Sequence, residues 1–445
     1  MFSVKPPAAV VDIMTMLRRA GHTCYVAGGA VRDIVMGRTP ADWDIACSAT
    51  PEQIRALFAR TIPTGVAHGT VTVLHRGASV EVTTYRHDGP YSDGRHPDYI
   101  QFVADVCQDL ARRDFTMNAM AYDPIGGRLV DPFHGKEHIE RRLIMCVGDP
   151  MVRFSEDKLR MVRAARFAAV LDFDIHDSII AACTTLAAGV SQVSAERVIA
   201  ELKRLLGGVA PSRGLRLLDD TGLMGYIFPE LVTSVDAQRR SQLYSACDDL
   251  PMWAWERAAM VLSPLGPVAA EQSLMRLRSS RNQATTVAGI IRGAERLADI
   301  CLPQGRMPDA AELRAIARAT GPDSLLAAVR VHLATRQALA ATPVGTAAAS
   351  GGDMPAQAPE ADLGGHPLVL LAASVLASNP PLRVGELAIN GRDVIAVTGI
   401  ERGPAVRTIL ERLLDEVIRD PSANTRDRLL ELAERFARGG ADTTG

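Results

Sequence analysis

Three short stretches of the chain concentrate the side chains able to do chemistry. Asp42-Trp43-Asp44 sets two carboxylates two residues apart, just ahead of Ile45. Read as part of a strand over 41–47, its alternation puts both carboxylates on one face and points Trp43 into the core. Carboxylates crowded in this way repel each other unless a cation lies between them, and magnesium is the hard, oxygen-seeking ion that suits such a pair. A solvated pair on an edge strand is the competing reading. Glu81 lies in a later strand where Val80 and Val82 face the other way. It is either a third carboxylate beside the first two or an exposed strand residue.

The second stretch is Gly28-Gly29, between a short strand and a helix that carries Arg32 and Asp33 in its first turn. Glycines there let backbone N–H groups approach an anion, and the helix N-terminus adds its dipole; a plain tight turn needs the same residues. The spacing is neither GxGxxG nor GxxxxGK[ST], which argues against dinucleotide and P-loop folds. Backbone amides holding a triphosphate, with Mg²⁺ on a DxD, are the arrangement of a nucleotidyl transfer site.

The third stretch runs from 112 to 166, with eleven basic and eight acidic side chains. Arg112 and Arg113 have the fork geometry to neutralise phosphates, and Asp114 or Asn118 can read a ribose hydroxyl. A charged helix start explains the same residues. Further on, Glu156, Arg160 and Arg163 share a side at spacings of four and three, as do Asp157 and Arg160. They are either ion pairs on a solvated face or an acceptor and a donor presented to a nucleobase edge. His68, in Gly65-Val66-Ala67-His68-Gly69-Thr70, is read as structural or positioning, because metal-assisted phosphoryl transfer needs no imidazole base.

These residues require elements to hold them. Periodicity gives helices over 8–20, 30–36 and 51–60, strands over 24–27 and 41–47, and a hairpin of 71–74 with 79–84 turning at Gly77. The alternation of periods is too quick for regular βαβ units, so the start of the chain is a small mixed α/β domain. Residues 88–98, dense in Gly, Pro and Asp, read as a loop. Beyond about 145 helices dominate, clearest over 156–169 and 195–206. Residues 339–366 are Ala/Gly/Pro-rich and read as a linker or insertion, with a last helical module over 367–438. No internal repeat or sustained heptad occurs.

With 445 residues, 47% hydrophobic and 22% charged, the chain is long enough for two to four domains. Its net charge of −2 argues against a wholly basic nucleic-acid binder but leaves room for a local electropositive groove. Seven cysteines without a CxxC indicate neither a disulfide framework nor a zinc ribbon, and fit a reducing cytoplasm. No signal peptide and no membrane span is expected.

Taken together, Gly28 to Asp33 followed by Asp42-Trp43-Asp44, then Arg112 to Met120, then Glu156 to Phe167, then Ser194 to Leu202, resemble the bacterial class II tRNA nucleotidyltransferases. That family comprises the CCA-adding enzymes and their poly(A) polymerase relatives. The resemblance implies an α+β fold: a polymerase-beta-like nucleotidyltransferase head (1–145), then an all-helical neck (146–210), body (211–338) and tail (367–445), with 339–366 as linker. It implies Mg²⁺ on Asp42 and Asp44, with Glu81 in the catalytic set. Gly28, Gly29, Arg32, Arg112, Arg113, Asp114, Asn118, Asp157, Arg160, Arg163 and Arg166 would bind the nucleotide. Asp114 would meet the ribose, Arg112 or Arg113 the phosphates, and Asp157 with Arg160 the base edge of CTP or ATP.

The implied partner is the tRNA 3′ end, its acceptor stem and TΨC arm bound by shape and backbone. The residues 387–393 and 399–404 resemble tail modules of such enzymes. The GVAHGT segment and the segment Tyr91 to Pro97 resemble the tRNA-repair branch, and an intact loop favours an enzyme able to add A. A full CCA enzyme and an A-adding specialist, which would need a separate CC-adding enzyme, both remain open. So do a poly(A) polymerase and an RNA-binding protein with a decayed head. No HHxxD phosphohydrolase signature follows.

Overall fold

The structure is a computed structural model, described over residues 4–89, 99–302, 305–340 and 363–439. Two compact units divide the chain, Met1–Val232 and Thr233–Gly445.

The first unit opens with α1 (Ala8–Arg19), whose Val10, Ile13, Met14 and Leu17 are buried at helical spacing. Then come β1 (Cys24–Ala27), α2 (Gly29–Val35), β2 (Ile45–Cys47), α3 (Pro51–Leu57) and β3 (Thr61–Gly65). The hairpin of β4 (Thr70–His75) and β5 (Ala78–Thr84) turns on Arg76 and Gly77, with φ of +48° and +77°. Two consecutive positive φ values are what a two-residue turn needs to match the strand twist. β6 (Arg86–Asp88) pairs with β7 (Ile100–Phe102), followed by α4 (Val106–Ala111), β8 (Ala121–Asp123), β9 (Arg128–Val130), α5 (Gly135–Glu140) and β10 (Leu143–Ile144).

Seven strands form one sheet in the order β3-β4-β5-β2-β1-β8-β9. All pairs are antiparallel except β2 with β5, where Ile45 lies opposite Val82. Ile13, Ile45, Ile54, Val26, Val71 and Val82 are fully buried in this part of the chain. A separate cluster joins α4, through Val106 and Leu110, to Ala27, Ala46, Tyr85 and Ala121.

The helices α6 (Pro150–Glu156) and α7 (Leu159–Leu171), the two-residue strand β11 (Asp174–Ile175), α8 (Asp177–Leu186), α9 (Ala195–Leu206) and α10 (Pro211–Asp220) complete the working part of this unit. α7 packs against both α9 and α10. A Cβ on Gly214 of α10 would lie 2.4 Å from the Ala165 carbonyl oxygen, so the close approach of α10 to α7 requires glycine there. The neck is therefore not wholly helical: β11 pairs in parallel with β10.

After α11 (Leu223–Ile227) and α12 (Pro229–Ser234), the second unit is helical throughout its described residues. It contains α13 (Ala237–Ala246), α14 (Ala254–Leu262), α15 (Gly266–Arg276), α16 (Arg281–Cys301), α17 (Ala310–Thr320), α18 (Pro322–Ala340) and α19 (Pro367–Ala377). α20 (Gly391–Thr398), α21 (Pro404–Arg419) and α22 (Arg426–Gly439) share their own core of Val394, Leu413, Val417 and Leu429. Among the described residues no helix is long and apolar enough to cross a membrane.

Four expectations are corrected. The strand expected over 41–47 is confined to Ile45–Cys47, because only those residues pair with β1 and β5; 41–44 form a bend and coil. Trp43 is accordingly half-buried rather than part of the core. The helix expected over 156–169 breaks at Asp157, whose φ of −140° and ψ of 106° are extended. Asp88, placed in a loop, ends β6; the rest of that loop, 90–98, lies outside the described residues. Of the expected linker 339–366, residues 339–340 end α18 and 363–365 form a 3-10 turn; 341–362 lie outside the described residues.

Candidate active site

A cleft of about 620 Å³ opens in the first unit, and every expected site residue except Asp42 lines it. A second cleft of the same volume, beside α1, α3 and the β4–β5 turn, has no carboxylate in its lining. Chemistry and not size separates the two.

One wall is the sheet. The β1–α2 turn needs Gly28 twice over: its φ is +73°, and a Cβ there would lie 2.7 Å from Arg113 Nη1. The Gly28 N–H donates to the Met120 carbonyl, and the Ala27 N–H donates to the Asp44 carbonyl, which fixes the bend before β2. Since β2 and β5 run parallel with Ile45 opposite Val82, Asp44, the coil residue just before β2, comes beside Glu81 of β5. Asp44 is exposed by residue surface, but crowding at the cleft strips water from its carboxyl and pushes it above the ordinary range; Glu81 and Asp42 push it further, and Arg113 opposes them. Asp42 is exposed in the bend and does not line the cleft, but its charge reaches Asp44.

Among the described residues no three His, Cys, Asp or Glu side chains are grouped to hold a metal by themselves. Hard oxygen donors that repel one another still fit Mg²⁺, which takes one or two carboxylates and completes its shell with phosphate oxygens and water. Glu81 stands beside Asp44 in the cleft.

The second wall carries arginines. Asp109 of α4 is buried and accepts from both Arg112 and Arg113. Burial opposes its ionisation, but the two guanidinium groups outweigh it and lower its pKa. Arg112 also pairs with Asp88 at 3.3 Å, and Arg113 donates to the Asn118 carbonyl. Asn118 links two further residues: its Oδ1 accepts from Arg32 at 3.1 Å and its Nδ2 donates to Asp114.

The third wall is α6, α7 and α9. Asp114 is buried against Arg163, whose Nη2 lies 2.6 Å away. Burial works against the Asp114 carboxylate, yet Arg163, Arg160 and the Phe115 N–H hold its pKa down at about 2. The break at Asp157 has a local cause: its carboxylate accepts from the Leu159 N–H and caps α7. Asp157 then takes a two-pronged pair from Arg197 of α9, at 3.1 and 2.7 Å. Arg160 does not pair with Asp157; it donates to Glu156 at 2.6 Å and to the Arg153 carbonyl. Arg166 pairs with buried Glu201 at 2.6 Å, and burial lowers its pKa to about 10. Its guanidinium also lies 3.5 Å from the Phe167 ring centre, with Arg32 and Arg163 each at 5.6 Å.

Arg197, Glu201 and Phe167 were not among the expected site residues. One signal was present: Glu201 falls on the same stripe of α9 as Val198, Leu202 and Leu205, a charge on an apolar face. His68 lies outside the cleft lining; its carbonyl accepts from Arg86.

Residues 24–145 match the family described as the poly A polymerase head domain, and 172–234 that described as a probable RNA and SrmB-binding site of polymerase A. A CCA-adding enzyme of Geobacillus stearothermophilus is 35% identical over 432 residues, 96% of each chain. That of Limosilactobacillus fermentum is 34% identical over 426 residues, 95% of each. The crystal structure of the Bacillus stearothermophilus CCA-adding enzyme in complex with CTP superposes with a TM-score of 0.77 at 32% identity, over 99% of this chain and 100% of that one.

The chain belongs to the bacterial CCA-adding enzyme and poly(A) polymerase family, on its CCA-adding branch. It is a tRNA nucleotidyltransferase. The Thermotoga maritima CCA-adding enzyme complexed with tRNA shares the fold at 16% identity and a TM-score of 0.64. In this transferase the head supplies the sheet wall and the lining residues of 112–118, and the helices after 145 supply the rest of the cleft.

Proposed function

We propose that this transferase completes the CCA end of tRNA, adding CMP and then AMP from CTP and ATP. The carrying observation is one cleft whose sheet wall and helical wall differ: a carboxylate pair short of positive charge on the first, ion-paired Asp157, Arg160 and Arg163 on the other. In each step the RNA 3′-oxygen bonds to the α-phosphorus, the bond to the β-phosphate oxygen breaks, and pyrophosphate leaves as the hydroxyl proton is lost. Asp42 and Asp44 would hold Mg²⁺, which when bound makes the 3′-hydroxyl more acidic and stabilises charge on the leaving group. Arg112 and Arg113, fixed by Asp109, offer donors to the phosphates. Asp157 and Arg160, each held by an ion pair, present an acceptor and a donor suited to the amino and ring-nitrogen edge of C or A.

Seven free thiols suit a reducing cytoplasm. The test is extension, at single-nucleotide resolution, of tRNAs ending before CCA, after C and after CC, with CTP, ATP or both. Completion from all three ends, stopping at A, is expected. Activity confined to ATP on the CC end makes it an A-adding specialist with a separate CC-adding enzyme. Unlimited A addition makes it a poly(A) polymerase.

A further inference from the structure

The second unit holds a cavity of about 200 Å³ lined from α13, α16, α18 and the turn Ser263–Leu265. Ile291, Ala298 and Val331 give it apolar walls. His332 lines it at 3% exposure, and its Nε2 has no hydrogen-bond partner. Burial, then the charge of Arg336, holds its pKa down at about 4, while the Ala294 carbonyl takes a ring N–H. At neutral pH the ring is therefore uncharged and Nε2 is a bare acceptor. A polar atom in that position is costly unless something donates to it.

The other polar groups narrow what that something is. Arg239 contributes a buried Nη1 without a partner, a donor. Ser263 and Thr335 give their protons to the Met260 carbonyl and sulfur, which leaves their lone pairs as acceptors. Glu295 adds a carboxylate. Acceptors outnumber donors, so a phosphate or carboxylate ligand is disfavoured, and the Arg239 charge disfavours a full cation. The volume is below the ~300 Å³ at which drug-sized pockets begin, too small for a whole nucleoside triphosphate. A neutral, flat molecule with N–H donors beside one acceptor meets all of these conditions.

We propose that this cavity recognises an amino-bearing nucleobase, cytosine or adenine, whose exocyclic amine donates to His332 Nε2 while its ring nitrogen accepts from Arg239. The sugar would project to solvent, so a free nucleoside and an unpaired base of bound RNA present the same chemistry. The site is separate from the transfer cleft, and its occupancy can be read whether or not the chain adds nucleotides.

The test uses the full chain labelled with ¹⁵N-histidine, in which the His332 signal is assigned by its loss in His332→Gln. Cytidine and adenosine should each shift that signal saturably, and uridine, without the amine, should bind roughly ten-fold more weakly or worse. Ala298→Phe, which fills the cavity, should remove the shift while thermal unfolding shows the fold intact and CTP incorporation continues. A shift with nucleosides but not with CCA-less tRNA assigns the site to free nucleotides; a shift with that tRNA assigns it to an RNA base. A His332 signal indifferent to cytidine, adenosine and tRNA, or one moved equally by uridine, overturns the proposal.

Discussion

The sheet wall and the helical wall of the transfer cleft manage charge in opposite ways. At Asp44 the near neighbours are Glu81 and Asp42, with Arg113 as the counterweight, and the carboxyl is pushed up. At Asp114, which lines the same cleft, Arg163 and Arg160 overcome burial and pull the carboxyl down to about 2. A wall that leaves negative charge unbalanced is built to receive a cation from outside. A wall whose charges are already paired holds donors and acceptors in place for a neutral base. One cleft thus divides the binding of charge from the reading of a base edge.

The largest test of that contrast is Asp44→Asn. It should reduce single-turnover CMP transfer by about a thousand-fold, the scale of losing a metal-holding group at the reacting phosphate. Without Mg²⁺ the variant should unfold at the same temperature as the parent or higher, since the substitution removes a crowded charge. A drop in thermal stability would mean that the Asp44 carboxylate is already balanced and the contrast is wrong.

Asp114→Asn should do the reverse. Removing one partner of a buried pair leaves Arg163 uncompensated, which costs about 3 kcal/mol and lowers the midpoint of unfolding by on the order of 6–12 °C. Urea unfolding checks it, and an unchanged midpoint would show that Arg163 is sufficiently paired by Glu201, 3.7 Å away.

What the sequence reveals divides along a similar line. α1, β1 and α9 are legible almost to the residue, because the apolar spacing read from the sequence is the one buried in the structure. The small mixed α/β start and the mostly helical remainder follow from the same patterns, and the family resemblance supplies the α+β class. Asp42-Trp43-Asp44 misleads because a strand reading needs partners, and pairing partners belong to the tertiary fold; only Ile45 onward finds them. Asp157 misleads for a different reason: Asp157–Arg160 spacing looks like a helix face, but the carboxylate caps the next helix and pairs with Arg197, 40 residues away. Long-range ion pairs leave no mark in local spacing, so Arg197 enters only once α9 is seen against α7, and Glu201 shows beforehand only as a charge on an apolar stripe.

A smaller effect is expected of Arg160→Leu on the helical wall. It removes the donor offered to the base, so discrimination of CTP over UTP should fall by roughly 10–100-fold, the value of one good base contact. Transfer from CTP should fall less than discrimination does. Competition between the two nucleotides on one tRNA measures it, and unchanged selectivity would remove Arg160 from the reading of the base.

The smallest effect concerns pH, and its sign differs between the walls. Asp114, lowered to about 2 from 3.8, contributes stability above pH 3.8 that is lost as pH falls through about 2. Asp44 is raised, so its contribution is present below 3.8 and is lost as pH rises through its higher native value. Ionising that carboxylate is therefore unfavourable in the metal-free protein, and Mg²⁺ binds the ionised form. Added Mg²⁺ should raise the unfolding temperature by a few degrees at pH 7.5, by progressively less as the pH is lowered and protons compete for the Asp44 carboxylate, and not at all in Asp44→Asn. A Mg²⁺ effect that does not weaken as the pH is lowered would place the ion elsewhere in the chain, and the two walls would no longer differ in the way the Asp44 surroundings imply.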